Sequence, residues 1–309
     1  MGKQNCRIVY GKTLVELGTG NNRIVVLEAD LGKSTMTTFF QEAFPERYFE
    51  MGIAEQNMVS TAAGLAISGK IPFVNSFAVF STGRVYDQIR QSICIGNVNV
   101  KIMGSSCGLS DFSDGATHQG IEDIALMRLL PNMTVLAPVD GYETRKVIEA
   151  AVDHEGPVYI RLNRNEIPDV TTEDDSFRIG LPAVIKEGTD LTVFANGYMV
   201  SVALEAAGVL GSKGISVRVV NVSSLKPVNE DVIKDLSAGM KGIITMEEHT
   251  VIGGLGSIIT FILRGWAIPV ECIAINDRFG QSALDYGSLL DHYGLNAKAV
   301  VEKAKTILQ

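Results

Sequence analysis

The sequence predicts an α/β protein built from two three-layer α/β/α domains. Short apolar runs rich in β-branched residues alternate with longer helical segments along the chain, and this order is typical of parallel sheets covered by helices. The alternation stops once, at the polar and acidic segment Asn165–Gly180, and then restarts. A length of 309 residues also suits two domains, because one domain usually has roughly 100–200 residues.

The elements predicted for the first domain follow a regular order. Ile24–Asp30 is apolar, β-branched and ends in an acid, as expected of a buried parallel strand. Ala54–Ser68 carries small and apolar residues on all sides and predicts a buried helix, and Tyr142–Asp153 predicts a second helix. The other predicted strands are Pro72–Ser76, Val98–Met103, Thr134–Ala137 and Val158–Leu162.

The second domain repeats this order after the polar segment, which we interpret as a linker because it has neither helical nor strand periodicity. Its predicted strands are Leu191–Ala195, Ser216–Val222, Gly242–Glu248 and Val270–Ile275. Its predicted helices are Met199–Lys213, Asn229–Ala238, Gly253–Trp266 and Ala297–Leu308.

Composition argues against several classes of protein. Twenty-seven basic and 35 acidic residues give a net charge of −8 without a basic stripe, so we expect no nucleic-acid partner. The apolar stretch Val251–Val270 contains four glycines, Arg264 and Pro269, and predicts a buried helix and strand rather than a membrane span. Four scattered cysteines without a CxxC pair, and an N-terminus without an apolar signal core, favour a cytoplasmic protein with no metal site of its own.

One loop histidine stands out among the titratable residues. His118 lies in SDGATHQG, between the strand Val98–Met103 and a helix predicted at Ile121–Leu130. Loops at the carboxyl ends of parallel strands are where α/β proteins bind ligands. Asp114, four residues earlier, adds an acid to the same loop. The residues alone leave a catalytic and a structural role for His118 open.

An acid and two aromatic residues in the preceding segments are further candidates. Glu55 begins an otherwise uncharged helix, where it either compensates the helix dipole or transfers protons at a buried interface. Phe77 and Phe80 follow the strand Pro72–Ser76, and they either pack in the core or present their ring faces to a flat heterocycle.

Six motifs, in one order along the chain, resemble the transketolase family of thiamine diphosphate enzymes and cover most of Ile24–Ser257. The resemblance implies a pyrimidine-binding thiamine diphosphate fold at residues 1–170, a linker at 171–184 and a transketolase C-terminal-type domain at 185–309. The motifs are GIAEQ (Gly52–Gln56), SFAVF ahead of GRVYDQIR (Ser76–Arg90), DGATHQ (Asp114–Gln119), LLPNMTVLAPVD (Leu129–Asp140), VRVVNVSSLKP (Val217–Pro227) and EEHTVIGGLGS (Glu247–Ser257).

The resemblance also implies a partner subunit. Transketolases carry a preceding domain whose GDG motif helps to hold Mg²⁺ and the cofactor diphosphate, and GDG occurs nowhere in this sequence. The chain thus resembles the C-terminal subunit of a split transketolase, active only with an N-terminal subunit in an expected α₂β₂ assembly. Such an enzyme transfers a two-carbon ketol unit from a ketose or ketose phosphate to an aldose or aldose phosphate.

The family's cofactor-binding roles fall on residues of three motifs. Glu55 matches the glutamate that hydrogen-bonds N1′ of the aminopyrimidine and promotes removal of the thiazolium C2 proton. Phe80, with Phe77 beside it, matches the aromatic residues around the aminopyrimidine ring. Asp30, in EADLGKS, matches an acid near the cofactor.

The family's substrate-binding roles fall on a second set of residues. His118 matches a histidine that hydrogen-bonds donor-substrate oxygens and shuttles a proton, and Asp114 matches an acid that recognises a substrate hydroxyl. Ser34 matches a serine near the acceptor phosphate. Arg164 matches a phosphate-binding arginine, and Arg7 is a second, weaker match.

One segment departs from the family and leaves the substrate open. Where the family offers a basic residue, Met103–Cys107 has none, and the loop from Gly108 to Asp114 is longer than usual. A shortened, branched or differently charged substrate therefore competes with the standard sugar phosphates.

Three other functions remain open as alternatives. A 1-deoxyxylulose-5-phosphate synthase shares THQ and YDQ but is usually one long chain. The β subunit of a 2-oxo acid dehydrogenase is a separate chain but generally lacks DGATHQ. A non-catalytic scaffold would need neither Glu55, nor His118, nor the phenylalanine pair.

Overall fold

Two mostly parallel sheets and one short antiparallel pair of strands form the framework of residues 2–309, which this computed structural model describes. The strands are β1 (Lys3–Asn5), β2 (Ile24–Glu28), β3 (Tyr48–Glu50), β4 (Ile71–Phe77), β5 (Lys101–Ser105), β6 (Thr134–Leu136), β7 (Val158–Arg161), β8 (Glu166–Pro168), β9 (Ala183–Lys186), β10 (Leu191–Ala195), β11 (Val217–Asn221), β12 (Ser224–Lys226), β13 (Gly242–Thr250) and β14 (Val270–Ile275). The helices are α1 (Cys6–Gly20), α2 (Gly32–Thr35), α3 (Thr38–Ala43), α4 (Glu55–Ile67), α5 (Ala78–Thr82), α6 (Tyr86–Gln88), α7 (Asp123–Leu129), α8 (Gly141–Asp153), α9 (Met199–Gly211), α10 (Glu230–Ser237), α11 (Leu255–Ile262), α12 (Tyr286–His292) and α13 (Ala297–Leu308).

The larger sheet has seven strands in the order β12-β6-β7-β5-β4-β2-β3. Neighbouring strands are parallel except β12 and β6, which are antiparallel. Every residue of β2 and β4 is buried, as expected for apolar strands covered on both faces. Each strand predicted for the first domain is present, although the one predicted at Val98–Met103 lies at Lys101–Ser105.

Helices cover both faces of this sheet and form the predicted three layers. Alternate residues of β2 point to opposite faces, so Val26 and Leu27 belong to different apolar clusters. Tyr10 of α1 and residues of α3 and α8 pack on one face, and Met58 of α4 and Ile124 of α7 pack on the other.

The second sheet has five strands in the order β14-β13-β10-β11-β9, of which only β9 runs antiparallel to its neighbour. Helices α9, α12 and α13 cover one face, and α10 and α11 cover the other. Leu255 and Ile259 of α11 share one buried cluster with Ile124 of α7 in the first domain. A continuous apolar core, together with the pairing of β12 to β6, therefore joins the two domains.

Two segments differ from the sequence-based expectations. Glu166–Pro168, part of the segment interpreted as a linker, forms strand β8 against β1, and Ile167 is buried. Strand β9 begins at Ala183, inside the predicted linker at 171–184. Strands of three or four residues are too short for a period to be read from the sequence, so pairing with a neighbour decides their structure.

Helix α4 is buried on one side only. Its buried residues include Glu55 and Met58, whereas the opposite side is open to solvent in this chain. This chain therefore buries one side of the helix, and the predicted burial of the helix at an interface stays a prediction. Among residues 2–309, no helix combines the length and the apolar character that crossing a bilayer requires.

Candidate active site

The predicted site residues gather at the carboxyl edge of the seven-stranded sheet. Asp30 follows β2, Phe77 ends β4, His118 lies in the loop after β5, and Arg164 follows β7. These strands are adjacent and parallel, so their carboxyl ends meet at one edge. This edge is where open α/β sheets bind their ligands.

Phe77, Phe80 and His118 form an aromatic cluster. The two phenyl rings lie nearly parallel, with centroids 6.1 Å apart and an interplanar angle of 17°. The His118 ring meets both edge-on, at 6.2 Å from Phe77 and 5.4 Å from Phe80. Phe77 is buried, whereas Phe80 remains half-buried. Within the cluster, Phe77 thus packs in the core, and the ring of Phe80 is partly open to solvent.

Glu55 connects to this cluster through an arginine that the sequence interpretation missed. The carboxylate is 4% exposed, and its Oε1 lies 3.3 Å from Nη1 of Arg84. The Arg84 guanidinium in turn lies 4.6 Å from the centroid of the Phe80 ring. Arg84 therefore contacts both the buried acid and the aromatic ring. Its position in GRVYDQIR, directly after the phenylalanine segment, is the sequence signal that could have indicated it.

The loop that carries His118 is held from both domains. Thr117 Oγ1 lies 2.9 Å from His118 Nδ1. The side-chain amide of Gln119 donates to the carbonyl oxygens of Asp111 at 3.1 Å and of Gln281 at 3.0 Å. Because Gln281 belongs to the second domain, that domain helps to set the position of the loop.

Arg164 is already ion-paired inside the site. Its Nη1 donates to Asp111 Oδ2 at 2.6 Å and lies 4.0 Å from Asp114 Oδ2. The guanidinium also lies 5.8 Å from the centroid of the Phe77 ring, which joins it to the aromatic cluster. Burial raises the pKa of Asp111, Arg164 opposes this rise, and Asp114 adds to it. Sequence interpretation missed Asp111, although it lies in the loop noted for its unusual length.

Asp30 and Ser34 line a neighbouring cavity of about 310 Å³, together with Lys33, Tyr48 and Glu50. The backbone N–H of Asp30 donates to Glu50 Oε1 at 2.9 Å, and Asp30 itself has a left-handed conformation with φ of 60°.

Arg7 connects this cavity to the rest of the site. Its Nη1 donates to the carbonyl oxygen of Ser34 at 2.6 Å. Burial, together with the neighbouring charge of Arg164, lowers the pKa of Arg7 to about 10. The charge of Arg164 therefore affects Arg7, although the two residues lie at opposite ends of the sequence of the first domain.

A buried acid supports the loop that carries Ser34. Glu28 Oε2 accepts hydrogen bonds from the hydroxyls of Thr35 at 2.6 Å and Thr37 at 2.7 Å. Burial raises the pKa of Glu28 to about 7, although these hydrogen bonds oppose the rise. Glu28 is a third residue that the sequence interpretation missed, because in the sequence it stands near the end of a predicted buried strand.

The segment without the family's basic residue contains two buried serines. Ser105 ends β5, and Ser106 follows with φ of 53°; neither hydroxyl has a hydrogen-bond partner in the described part of the chain. The segment that departs from the family pattern therefore lies at the carboxyl edge of the sheet, directly before the loop that carries Asp111 and His118.

Both halves of the chain match domains of known proteins. Residues 2–170 match the pyrimidine-binding domain of transketolase, and residues 182–300 match the transketolase C-terminal domain. A putative transketolase C-terminal section from Methanocaldococcus jannaschii is 41% identical over 298 residues, which cover 95% of this chain and 93% of that protein.

Two further proteins are similar over nearly their whole length. A 6-deoxy-6-sulfo-D-fructose transketolase subunit from Clostridium sp. (strain MSTE9) is 38% identical over 305 residues, covering 98% of this chain and 94% of that protein. A solved structure described as a split gene transketolase, inactive β4 tetramer, has a TM-score of 0.90 and 47% identity over 99% of both chains. The chain therefore belongs to the transketolase family of thiamine diphosphate-dependent transferases, as a C-terminal subunit of the split kind.

Proposed function

We propose that this chain supplies the pyrimidine side of the thiamine diphosphate site, and most of the substrate contacts, in a two-subunit transketolase. The reaction is transfer of a two-carbon ketol unit from a ketose or its phosphate to an aldose or its phosphate. One observation carries the proposal: Glu55, Arg84, Phe80, Phe77 and His118 form an unbroken series of contacts at the ligand-binding edge of the sheet.

The residues at this edge fit the aminopyrimidine end of the cofactor. Phe80 is only half-buried, so part of its ring is available for stacking on a heterocycle. The Glu55 carboxylate accepts one hydrogen bond, from Arg84, and retains lone pairs that can accept a hydrogen bond from a protonated ring nitrogen. When bound, thiamine diphosphate supplies the carbon nucleophile and the electron sink that a C–C cleavage next to a carbonyl requires. Glu55 holds the proton shared with N1′, in surroundings that strengthen this hydrogen bond.

The Mg²⁺ and diphosphate contacts are assigned to an N-terminal subunit. Among residues 2–309, no group of three or more His, Cys, Asp or Glu side chains is arranged to hold a metal ion. The open side of α4 lies next to Glu55 and offers that subunit a surface, formed by Gln56, Asn57, Ser60, Gly64 and Ile67. An α₂β₂ assembly places each such surface against a partner, and it agrees with the description of the related β4 tetramer as inactive.

The remaining residues serve the substrate. His118 can donate a hydrogen bond to the carbonyl or hydroxyl oxygens of the donor and can move a proton as the C–C bond breaks. Asp114 is 45% exposed beside it and can accept a hydrogen bond from a substrate hydroxyl. Ser34, Arg7 and Arg164 lie farther along the edge, where they can bind the end of the sugar opposite the reacting carbonyl.

The test is reconstitution with the N-terminal subunit. We expect the purified chain to bind thiamine diphosphate weakly and to show no ketol transfer, because the diphosphate and Mg²⁺ contacts come from the partner. Mixing the two subunits should restore both binding, measured by calorimetry, and transfer, measured by product formation. Strong Mg²⁺-dependent cofactor binding by the isolated chain would refute the division of the site between two subunits.

A further inference from the structure

Glu248 connects the second domain to the loop that carries His118, residues 108–120, here called the His118 loop. It lies on β13 and is 3% exposed. Its Oε1 accepts a hydrogen bond from the backbone N–H of Leu109 at 2.6 Å. The loop passes so close that a Cβ added to Gly108 would lie 2.6 Å from Cδ of Glu248. Gly108 also has φ of 60°, so both its conformation and the close approach require a glycine.

The two ends of the His118 loop are joined to each other and to β13. The backbone N–H of Gly108 donates to the carbonyl oxygen of Gly120 at 2.8 Å. Nη2 of Arg161 donates to the carbonyl oxygen of Glu248 at 2.7 Å and to that of Gly120 at 3.4 Å. Arg161 is itself buried in an ion pair with Asp123, at 2.8 Å. The position of Glu248 therefore affects the base of the whole loop.

The same carboxylate reaches the loop after β7, residues 162–165, here called the Arg164 loop. Oε2 of Glu248 accepts a hydrogen bond from the hydroxyl of Tyr286 at 2.7 Å. The Tyr286 oxygen accepts in turn from Nδ2 of Asn163 at 2.8 Å, and Asn163 directly precedes Arg164. One carboxylate thus connects to both loops, directly to the first and through Tyr286 to the second.

The two loops also contact each other beyond Glu248. Nδ2 of Asn165 donates to the carbonyl oxygen of Ser110 at 3.0 Å, and the backbone N–H of Arg164 donates to Oγ of Ser110 at 3.3 Å. The ion pair of Arg164 with Asp111 joins the same two loops. Hydrogen bonds therefore run without a break from Glu248 to residues that we assign to the substrate.

A carboxyl group is a costly choice at this position. Among residues 2–309, no basic nitrogen lies within 4.0 Å of the carboxylate oxygens of Glu248. Burial raises the pKa of Glu248 to about 7, although the charge of Arg161 opposes the rise. Burying an acid without a paired cation is unfavourable. Stability of the fold therefore does not explain this residue, whereas its hydrogen bonds toward two loops do.

The neighbouring acid on the same strand shows what a purely local role looks like. Glu247 is 0% exposed, and alternate residues of a strand point to opposite faces of the sheet. Its carboxylate accepts from the backbone N–H groups of Leu255 at 2.7 Å and Gly256 at 2.8 Å, at the start of α11 in its own domain. Two adjacent buried acids thus serve different places: Glu247 serves its own domain, and Glu248 serves the first.

We propose that Glu248 is a positioning residue for substrate binding, which sets the His118 loop and the Arg164 loop at the separation at which both reach one substrate. The inference rests on the proposed transketolase function. It gives the second domain a role in a site to which that domain supplies none of the residues assigned a ligand contact. Glu248 acts through Leu109 and Tyr286.

The test compares Glu248→Gln with Glu247→Gln in the assembled two-subunit enzyme, at pH 8, where Glu248 is ionised. Glutamine keeps the size of the side chain, but its amide nitrogen cannot accept the hydrogen bond of Leu109 or Tyr286. Glu248→Gln should lower kcat/KM for ketol transfer by about 10- to 10²-fold, because small misplacements of binding groups cost up to that factor. C2–H exchange and thiamine diphosphate affinity should stay at wild-type values.

Glu247→Gln is the matched control, since it removes a buried charge from the next position. It should lower the melting temperature but leave kcat/KM unchanged. The donors are a panel of ketoses and ketose phosphates with glyceraldehyde as acceptor, and the pair with the highest wild-type kcat/KM is used for the variants. Equal losses of kcat/KM in both variants, or wild-type kcat/KM in a folded Glu248→Gln enzyme, would overturn the inference.

Combination with His118→Ala tests whether Glu248 acts through the His118 loop. In that background, the loss caused by Glu248→Gln should be smaller than in the wild type by about fivefold or more, because residues of one network have non-additive effects. Losses that simply multiply would show that Glu248 does not act through His118, and they would contradict the proposed role.

Tyr286→Phe provides a milder variant that keeps the test decisive if Glu248→Gln does not fold. It removes only the hydroxyl between Glu248 and Asn163, so kcat/KM should fall by about two- to tenfold, the effect of one hydrogen bond. An unchanged kcat/KM would overturn the link to the Arg164 loop. Wild-type enzyme that shows neither C2–H exchange nor transfer with any donor would contradict the proposed function itself, whereas a failure confined to the variants contradicts only this inference.

Discussion

The two parts of the candidate site differ in how far this chain completes them. The part around Glu55, Arg84 and Phe80 is open: the acid has one partner, and the adjacent side of α4 faces solvent. In the part around Arg164 and Asp111, the two charges pair with each other within the chain, and loops of both domains contact each other there. The first part therefore depends on another subunit, whereas the second is organised before any partner or ligand arrives.

The proposed function assigns cofactor chemistry and substrate specificity to different elements of the fold. In the proposed function, this chain contributes to cofactor activation through a carboxylate and aromatic rings, which α4, β4 and α5 carry. The proposed substrate contacts lie in loops after β2, β5 and β7, and loops tolerate change more readily than strands. We therefore expect variants in the first part to alter proton removal from the cofactor, and variants in the second to alter the choice of sugar.

The largest expected effect comes from Glu55. In the assembled enzyme, Glu55→Gln should slow exchange of the cofactor C2 proton by about 10²-fold or more, since positioned proton transfer contributes at least that much. The fold and the assembly should be retained, because glutamine keeps the size of the side chain. Proton NMR after acid quench measures the exchange directly.

Glu302→Gln is a suitable control for Glu55→Gln. Glu302 is an exposed acid on α13 of the second domain, so the variant loses one charge far from the site. The control should exchange at the wild-type rate. An unchanged rate in Glu55→Gln itself would show that the open part of the site does not activate the cofactor through this residue.

The next largest effect is expected at His118, and it distinguishes substrate binding from cofactor activation. His118→Ala should lower kcat/KM for ketol transfer by about 10- to 10³-fold, the range between a lost hydrogen bond and lost proton transfer. Cofactor affinity and C2–H exchange should remain near normal, because charge develops on the substrate oxygens only in the later steps. If His118 only ties down its loop, then affinity, melting temperature and turnover should decline together, and measuring all three on one complex decides the matter.

Much of the fold follows from local patterns in the sequence. Clear signals come from the apolar runs of β2 and β4 and from the turn-rich loop around His118. Burial on both faces requires apolar residues within the strand itself, and a turn-rich loop requires small and polar residues within the loop itself. Short strands such as Glu166–Pro168 do not, since their pairing partner lies far along the chain. The small residues of helix α4 indicate burial, but they do not distinguish a side covered by this chain from a side that a partner covers.

The site residues show the same division. Glu55, Phe77, Phe80 and His118 stand in recognisable motifs, whereas the contacts that connect them are distant in sequence. Arg84 meets Glu55 across 29 residues, Arg164 meets Asp111 across 53, and Gln119 meets Gln281 across 162. A single sequence indicates which residues carry chemistry, but pairing between distant loops decides which charges neutralise one another.

The smallest expected effect concerns Glu28, which lies under the loop of Ser34. Burial raises the pKa of Glu28 from 4.5 to about 7, so the folded chain holds its proton more tightly than the unfolded chain does. Between these values the unfolded chain has already lost the proton, so the free energy of unfolding falls as pH rises from about 5 to 7. One group contributes at most about 1.36 kcal/mol per pH unit to this slope.

Replacing the acid should flatten that slope and leave cofactor chemistry intact. Urea unfolding of Glu28→Gln at pH 5, 6, 7 and 8 should show a weaker pH dependence than the wild type, because glutamine does not titrate. Some dependence should remain, since burial also raises the pKa of Glu248 to about 7. The control is Glu46→Gln, because Glu46 is an exposed acid nearby, and this variant should match the wild-type slope.

Because Glu28 supports Thr35 and Thr37 beneath Ser34, the KM of Glu28→Gln for the acceptor should rise a few-fold at unchanged C2–H exchange. Parallel slopes for Glu28→Gln and wild type would show that Glu28 does not hold its proton in the folded chain, and an equal loss of exchange would show that the two parts of the site are not separable.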